Sequence, residues 1–181
     1  MGKKKLNAQQ GIEAACILFQ LNSRSEAIID MARGAQMPEL FFQGDGAKFF
    51  CTEWRAFTHA VITTGLMQNA PNSVLMGYLK QTQHLLSAAK TLETPDNMYT
   101  ENEVTLDKFI DGPFSQYMPL LAQERQSQCP EIFCQRLAKY VISANGKSKP
   151  NERAKARLAA IMALLISAVN DKLEEYEILA D

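Results

Sequence analysis

The amino-acid sequence predicts an all-α fold, a single-domain bundle of about six helices around a long C-terminal helix. Three observations indicate this architecture. Apolar residues recur at spacings of three and four, which is the period of a helical face. Short turns containing Pro, Gly or Asn separate these periodic segments. The longest uncharged apolar run, 158–169, has twelve residues, which suits a buried helix and falls short of the roughly twenty that span a membrane.

Length and composition favour one folded domain covering residues 1–181. The hydrophobic fraction of 46% and the charged fraction of 22% are typical of globular proteins. With a net charge of -1, the whole molecule has no field that would steer it to nucleic acid or to a membrane surface. The four cysteines are scattered and form no Cys-x-x-Cys pair, and no secretory signal or lipid anchor is evident. A cytoplasmic location is therefore expected.

The first helical segment is predicted at 7–33, either as one helix or as two pieces that break near Asn22 and Ser23. Ser23 or Ser25 could cap a second piece. Gly34 lies where a left-handed terminating residue is wanted, so we expect the segment to end there.

The segment 38–51 is the least helical part of the chain and is expected to form an aromatic-rich loop or a small hairpin. Phenylalanine pairs flank Gly44-Asp45-Gly46, and Asp-Gly between apolar runs is a hairpin signal. Two strands of three residues would be marginal alone. We therefore favour a loop that inserts four phenylalanines into the core, with the next helix starting near Asp45 or Thr52.

The remaining elements are defined by caps, turns and prolines. Helices are predicted at 52–68 and 73–92, joined by a short turn that suggests an antiparallel pair. The loop 94–102 lies in an acidic region, 93–111, which contains six acids and one lysine. Further helices are predicted at 104–110, 114–127, 130–144 and 151–179, with Pro130 in a first helical turn and Asn145-Gly146 as a stop.

The candidate catalytic residues are Cys51, Arg55 and His59, which a helix would place on one face. A neighbouring guanidinium could activate the thiol. The alternative is a core cysteine, a paired arginine and a half-buried histidine. Neither a phosphate loop nor a clustered set of metal ligands is present in the sequence. We therefore expect no cofactor and no metal, and most enzyme classes are disfavoured, although carboxylate-based chemistry stays open.

A basic segment is the strongest candidate binding surface. Between residues 136 and 157, seven cations accompany one acid, Glu152. The seven cations are Arg136, Lys139, Lys147, Lys149, Arg153, Lys155 and Arg157. They surround a turn and could contact phosphates beside the start of the last helix. The alternative is a solvated surface that pairs with the acidic region of the same chain.

The last helix offers a candidate self-association seam. Its members are Leu158, Ile161, Met162, Leu165, Val169, Leu173 and Tyr176. The charges of this helix run against its dipole, because cations lie at its start and five acids lie between 171 and 181. Antiparallel pairing of two copies would bring basic starts against acidic ends. The alternative is a central core helix within one chain.

Three functional hypotheses follow from the sequence. The leading one is a non-enzymatic helical interaction protein that binds a protein partner or itself, as a dimer, through charge-segregated surfaces. The alternative is a regulator that binds nucleic acid or another anionic ligand through residues 136–157. The third is a hydrolytic or thiol enzyme centred on Cys51, Arg55 and His59.

Overall fold

The computed structural model describes residues 2–87 and 110–181. Most of the predicted acidic region 93–111, the loop 94–102, the helix 104–110 except its last residue, and the end of the helix 73–92 lie outside these residues. Their predictions therefore stay untested.

Seven α-helices make up most of the described residues. They are α1 (Ala8–Leu21), α2 (Ser25–Gly34), α3 (Gly44–Asn69), α4 (Asn72–Ser87), α5 (Ser115–Ala122), α6 (Cys129–Ser143) and α7 (Glu152–Glu174). Short 3-10 turns occur at Glu39–Phe41 and Gln126–Gln128, and a π-helical turn precedes α5 at Ile110–Phe114. The predicted all-α bundle is confirmed.

Helix α3, rather than the C-terminal helix α7, is the centre of the bundle. Every residue from 53 to 66 is buried, and α3 contacts each of the other six described helices. In contrast, α7 buries one stripe and leaves Leu164 70% exposed. The physical reason is that the outward positions of α7 are mostly alanine and charged residues, which lose little by facing water.

The segment 38–51 forms no hairpin, and the predicted loop is limited to residues 38–43 because the rest of the segment belongs to α3. After the 3-10 turn at Glu39–Phe41, α3 begins at Gly44. Phe41 and Phe50 are fully buried, with ring centroids 5.9 Å apart. A side chain at Gly46 would collide with the carbonyl oxygen of Leu40, so this tight entry into α3 requires glycine.

Helices α1 and α2 are separate, which agrees with the predicted alternative of two helical pieces. The side chains of Asn22 and Ser23 donate hydrogen bonds to the last carbonyls of α1, at 2.8 and 2.5 Å. The N-cap residue of α2 is Arg24, and its side chain makes no capping hydrogen bond to the start of the helix. Helix α2 ends at Gly34, as predicted, but the left-handed residue is Gln36, with φ 58°.

Two three-residue strands, which the sequence did not predict, bring the ends of the described chain together. Strand β1 (Lys4–Leu6) pairs in parallel with β2 (Tyr176–Ile178), with Leu6 opposite Ile178. The predicted helix 151–179 therefore ends early, at Glu174. Burial of Leu6 and Ile178 in the core explains why the chain leaves the helix at this point.

No helix within residues 2–87 and 110–181 combines the length and the apolar character needed to cross a membrane.

Candidate functional site

The candidate catalytic residues Cys51, Arg55 and His59 lie inside the bundle. Their exposed fractions are 0%, 1% and 4%. The Nε of Arg55 donates to the carbonyl oxygen of Ser23 and its Nη2 donates to the hydroxyl of Ser25, both at 2.8 Å. Arg55 thus ties the central helix to the junction between α1 and α2. With these partners the buried Arg55 is a structural anchor, and the described residues bury all three side chains from solvent.

His59 belongs to a buried polar contact with α4. Its Nδ1 lies 2.9 Å from the hydroxyl of Tyr78, and the rings of Phe19 and Phe114 pack against it at 5.7 and 4.8 Å. Burial lowers the pKa of His59 from 6.5 to about 4, because the positive form loses its hydration. His59 is therefore neutral at pH 7, and its surroundings do not suit a general base that acts on an external substrate.

Among the described residues, the cysteines and other metal-ligating side chains show no arrangement typical of a metal site or a reactive thiol. The four cysteines form no disulfide with one another, and Cys16, Cys51 and Cys129 are buried. Burial raises the pKa of Cys16 and of Cys129 to about 11, so these thiols are protonated and inert at neutral pH. Within the described ranges, no three His, Cys, Asp or Glu residues come together in a way that could hold a metal ion.

Arg136, the first cation of the basic segment, points into the protein. Its Nε and Nη2 both lie 2.7 Å from Oε1 of Glu53, while the hydroxyl of Tyr117 donates to Oε2 at 2.8 Å. Glu53 is only 1% exposed. This carboxylate on the central helix therefore binds α5 and α6 together, and Arg136 is not available to a phosphate.

Lys155 also has partners within the chain. Its Nζ lies 2.8 Å from Glu131 on α6 and 3.1 Å from Glu152. Hydrogen bonding to these carboxylates raises the pKa of Lys155 to about 12. The pair with Glu131 bridges α6 and α7, so the charge of Lys155 is neutralised by carboxylates of the same chain.

Four cations of the basic segment remain solvent-facing. Lys139, Lys147, Lys149 and Arg153 are exposed and make no ion pair with any residue in the ranges 2–87 and 110–181. Arg157 is half-buried, and its Nη1 has no hydrogen-bond partner there. Of the seven predicted residues, Arg136 and Lys155 therefore stabilise the fold through ion pairs with other helices, and the other five make no such pair within the described residues.

The last turns of α6 and the loop that follows carry three of these lysines and an exposed apolar side chain. Asn145 adopts the left-handed conformation with φ 55°, and Gly146 N-H donates to the carbonyl of Val141 at 2.8 Å. This is a Schellman cap, which stops α6 as predicted. Ile142, one helical turn after Lys139, is 61% exposed. We call the set Lys139, Ile142, Lys147 and Lys149 the basic turn surface.

Tyr140, the aromatic residue within the basic segment, is turned away from this surface. Its ring stacks on Phe49 with centroids 4.5 Å apart and an interplanar angle of 20°, and it also contacts Phe41 at 5.9 Å. A ring held in this way cannot stack on a nucleic-acid base.

The predicted self-association seam belongs to the core of the chain itself. Leu158, Met162, Leu165, Val169 and Leu173 are buried, and Ile161 and Tyr176 are half-buried against the same core. A second subunit cannot pack on side chains that already contact α3 and α6. The apolar pattern in the sequence therefore indicates the face of α7 that is buried within the chain, and not a face that contacts a second subunit.

Part of the acidic segment that follows α7 is compensated within the chain. Pairing of β1 with β2 sets Lys5 opposite Glu177. The residues after β2 then pass the starts of two helices, where Ala8 N-H donates to Asp181 O at 3.2 Å and the Ser73 hydroxyl donates to Ala180 O at 3.1 Å. Negative charge near a helix start is favourable. The acidic character of the residues that follow β2 is thus partly offset by the starts of α1 and α4.

A polar cleft of about 330 Å³ lies where α3, α5 and α7 converge, and the sequence did not reveal it. The side chains of Gln68, Glu124, Gln126 and Asn170 line it. Glu124 has φ 57°, an unusual conformation for a residue other than glycine or asparagine. The cleft can hydrogen-bond a small polar molecule. Its members come from separate turns of the chain, so no sequence spacing could indicate them.

No protein-family model, curated protein or solved structure matches this chain. Its function must therefore be argued from the geometry of its own surfaces.

Proposed function

We propose that this protein is a non-enzymatic helical interaction protein, and that its basic turn surface binds an acidic region of a protein partner. The observation that carries the proposal is the combination of lysines that lack an ion-pair partner within 2–87 and 110–181 with Ile142, which is 61% exposed. Protein contact sites commonly combine an apolar centre with a polar rim. The surface is also held by the Asn145 cap, so binding would require little ordering.

An acidic protein surface suits this site better than nucleic acid does. The chain has a net charge of -1, so long-range attraction to a polyanion is weak. Tyr140 is stacked on Phe49 and offers no platform for a base. Binding of a nucleic acid or another anionic ligand, the second candidate, is supported by the exposed cations near the start of α7 alone.

The proposal is tested by titrating the protein with a fluorescent glutamate-rich peptide and, separately, with single-stranded and duplex oligonucleotides. Binding of the peptide should weaken with added salt, because exposed charges are screened. The variant Lys147→Glu/Lys149→Glu should lose this binding. The matched control is Lys3→Glu/Lys80→Glu, which changes the net charge equally at exposed positions elsewhere and should leave binding intact.

The outcomes separate the two candidates. Peptide binding that depends on Lys147 and Lys149 supports a protein partner. Preferential binding of oligonucleotides, with a salt slope that falls as each lysine is removed, would replace it with the nucleic-acid candidate. An equal loss of binding in the control variant would contradict both candidate functions, because binding would then depend on the net charge of the protein and not on this surface.

A further inference from the structure

The outward face of α7 has a symmetric sequence centred on Leu164. Ala160 and Ala168 lie four residues on either side of it, Arg157 and Asp171 lie seven, and Arg153 and Glu175 lie eleven. Offsets of four, seven and eleven keep residues on one face of an α-helix. We call these seven residues the outer face of α7. If the direction of the helix is reversed about Leu164, each alanine takes the position of the other alanine. Each basic residue then takes the position of an acidic one.

The outer face of α7 is open to solvent. Leu164, at its centre, is 70% exposed, the highest value among the exposed large apolar residues of the described chain. The other members are exposed except Arg157, which is half-buried. This face lies away from the stripe of α7 that packs into the core, and the described residues leave most of it uncovered, although Nη1 of Arg157 is buried.

The charges at the two ends of this face are largely unused by the chain itself. Arg153, Arg157 and Asp171 make no ion pair with any residue in 2–87 or 110–181. Glu175 pairs with Lys172 at 2.9 Å, and both of these side chains are about half exposed. Such a surface pair is weak and leaves carboxylate oxygens accessible to a further cation.

We propose that the outer face of α7 binds the same face of a second copy of this chain, with the two helices antiparallel about a twofold axis at Leu164. In that arrangement Arg157 of each copy faces Asp171 of the other, and Arg153 faces Glu175. A twofold axis repeats each contact, which makes four charge pairs around two leucines. The alanines on either side allow the helices to approach to about 8 Å.

Charge complementarity selects this orientation. Parallel pairing would set Arg153 against Arg153 and Glu175 against Glu175, and like charges in contact are unfavourable. The face is about 35 Å long, as expected for a helix of this length. One helix pair buries an area near the lower limit for a specific interface, so a reversible dimer of micromolar affinity is expected. This surface is separate from the basic turn surface, so either can fail without the other.

The first test is sedimentation equilibrium of the full chain up to about 200 µM, a range that suits a micromolar dimer. The wild-type protein should show a monomer–dimer equilibrium, and Leu164→Glu should raise the dissociation constant at least tenfold. Met76→Glu is the matched control, because Met76 is 61% exposed on α4 and the same change there should leave dimerisation intact. Circular dichroism checks that each variant is folded.

The decisive test is a charge exchange. Arg157→Asp and Asp171→Arg should each weaken the dimer at least tenfold, because each places two like-charged pairs across the axis. The double variant should recover most of the wild-type affinity. Residues 157 and 171 are fourteen positions apart on one rod, so this recovery cannot arise within a single helix.

Three results would overturn the inference. They are a chain that stays monomeric over the whole range, a Leu164→Glu variant that dimerises as well as the wild type, and a double variant that stays as weak as the single ones. The first result together with selective binding of a different protein to this face would assign it to a heterologous partner instead.

Discussion

Replacement of His59 by glutamine should remove a large part of the acid sensitivity of this fold. The pKa of His59 falls from 6.5 to about 4 because of burial. The unfolded chain therefore takes up the proton before the folded chain does. Stability supplied by the neutral ring is complete above pH 6.5 and is lost as the pH falls towards 4. This difference corresponds to about 3 kcal/mol in total, of which about 2 kcal/mol is lost between pH 7 and pH 4.5.

The assay is urea denaturation of the wild type and of His59→Gln at pH 7.0 and pH 4.5, followed by the fluorescence of the single tryptophan. Other groups also titrate over this range. Because they are present in both proteins, the difference between the wild type and the variant isolates the contribution of His59. The wild type should lose about 2 kcal/mol more than the variant does. A proton NMR titration provides a direct check, since the chain has two histidines and the variant identifies the resonance of His59. Parallel losses in the two proteins, or a His59 resonance that titrates near 6.5, would refute the argument.

Three further changes test the packing described above by thermal and chemical denaturation. Arg136→Ala should destabilise the fold by about 3 to 5 kcal/mol, because it leaves the buried carboxylate of Glu53 without its cation; a loss below about 1 kcal/mol would contradict this. Glu124→Gly should stabilise by about 1 kcal/mol, because its φ of 57° strains a side chain; a destabilised variant would indicate that the side chain has a stabilising role. Gly46→Ala should cost more than about 2 kcal/mol, because the added methyl group collides with a backbone carbonyl; a neutral result would show that the entry into α3 can shift.

Local signals in the sequence predicted most of the helices correctly. The Asn145-Gly146 stop and the Asn151 start correspond to a Schellman cap and to an N-cap whose side chain accepts from Ala154 N-H at 2.8 Å. These signals act over four or five residues, so they are visible without a structure. Periodic apolar spacing likewise identified the buried stripe of α7.

The central position of α3 could not be predicted in the same way. Its buried face includes Glu53 and Arg55, and polar residues of this kind normally indicate a surface helix. Their partners are distant in sequence, since Arg136 lies 83 positions from Glu53 and Ser23 lies 32 from Arg55. Nothing in a single sequence reveals such pairings, although they are what permits the burial.

The charge pattern was only partly informative for the same reason. The sequence identified the basic segment but could not separate Arg136 and Lys155, whose partners lie on other helices, from the cations that remain exposed. Compensation of the acidic end depends on the parallel pairing of β1 with β2, two strands from opposite ends of the described chain. Tertiary contacts thus compensate part of the suggested gradient within the chain, while Arg153, Arg157 and Asp171 make no ion pair among the described residues.

The most direct measurement for the central claim is photo-crosslinking from the basic turn surface in living cells. A photoreactive amino acid at position 142 should form a discrete crosslink to an acidic protein, and Lys147→Glu/Lys149→Glu should abolish it. The same probe at position 76, where the native methionine is as exposed as Ile142, should not form that product. If both positions yield the same products, or if position 142 yields none, the proposed interaction surface is contradicted.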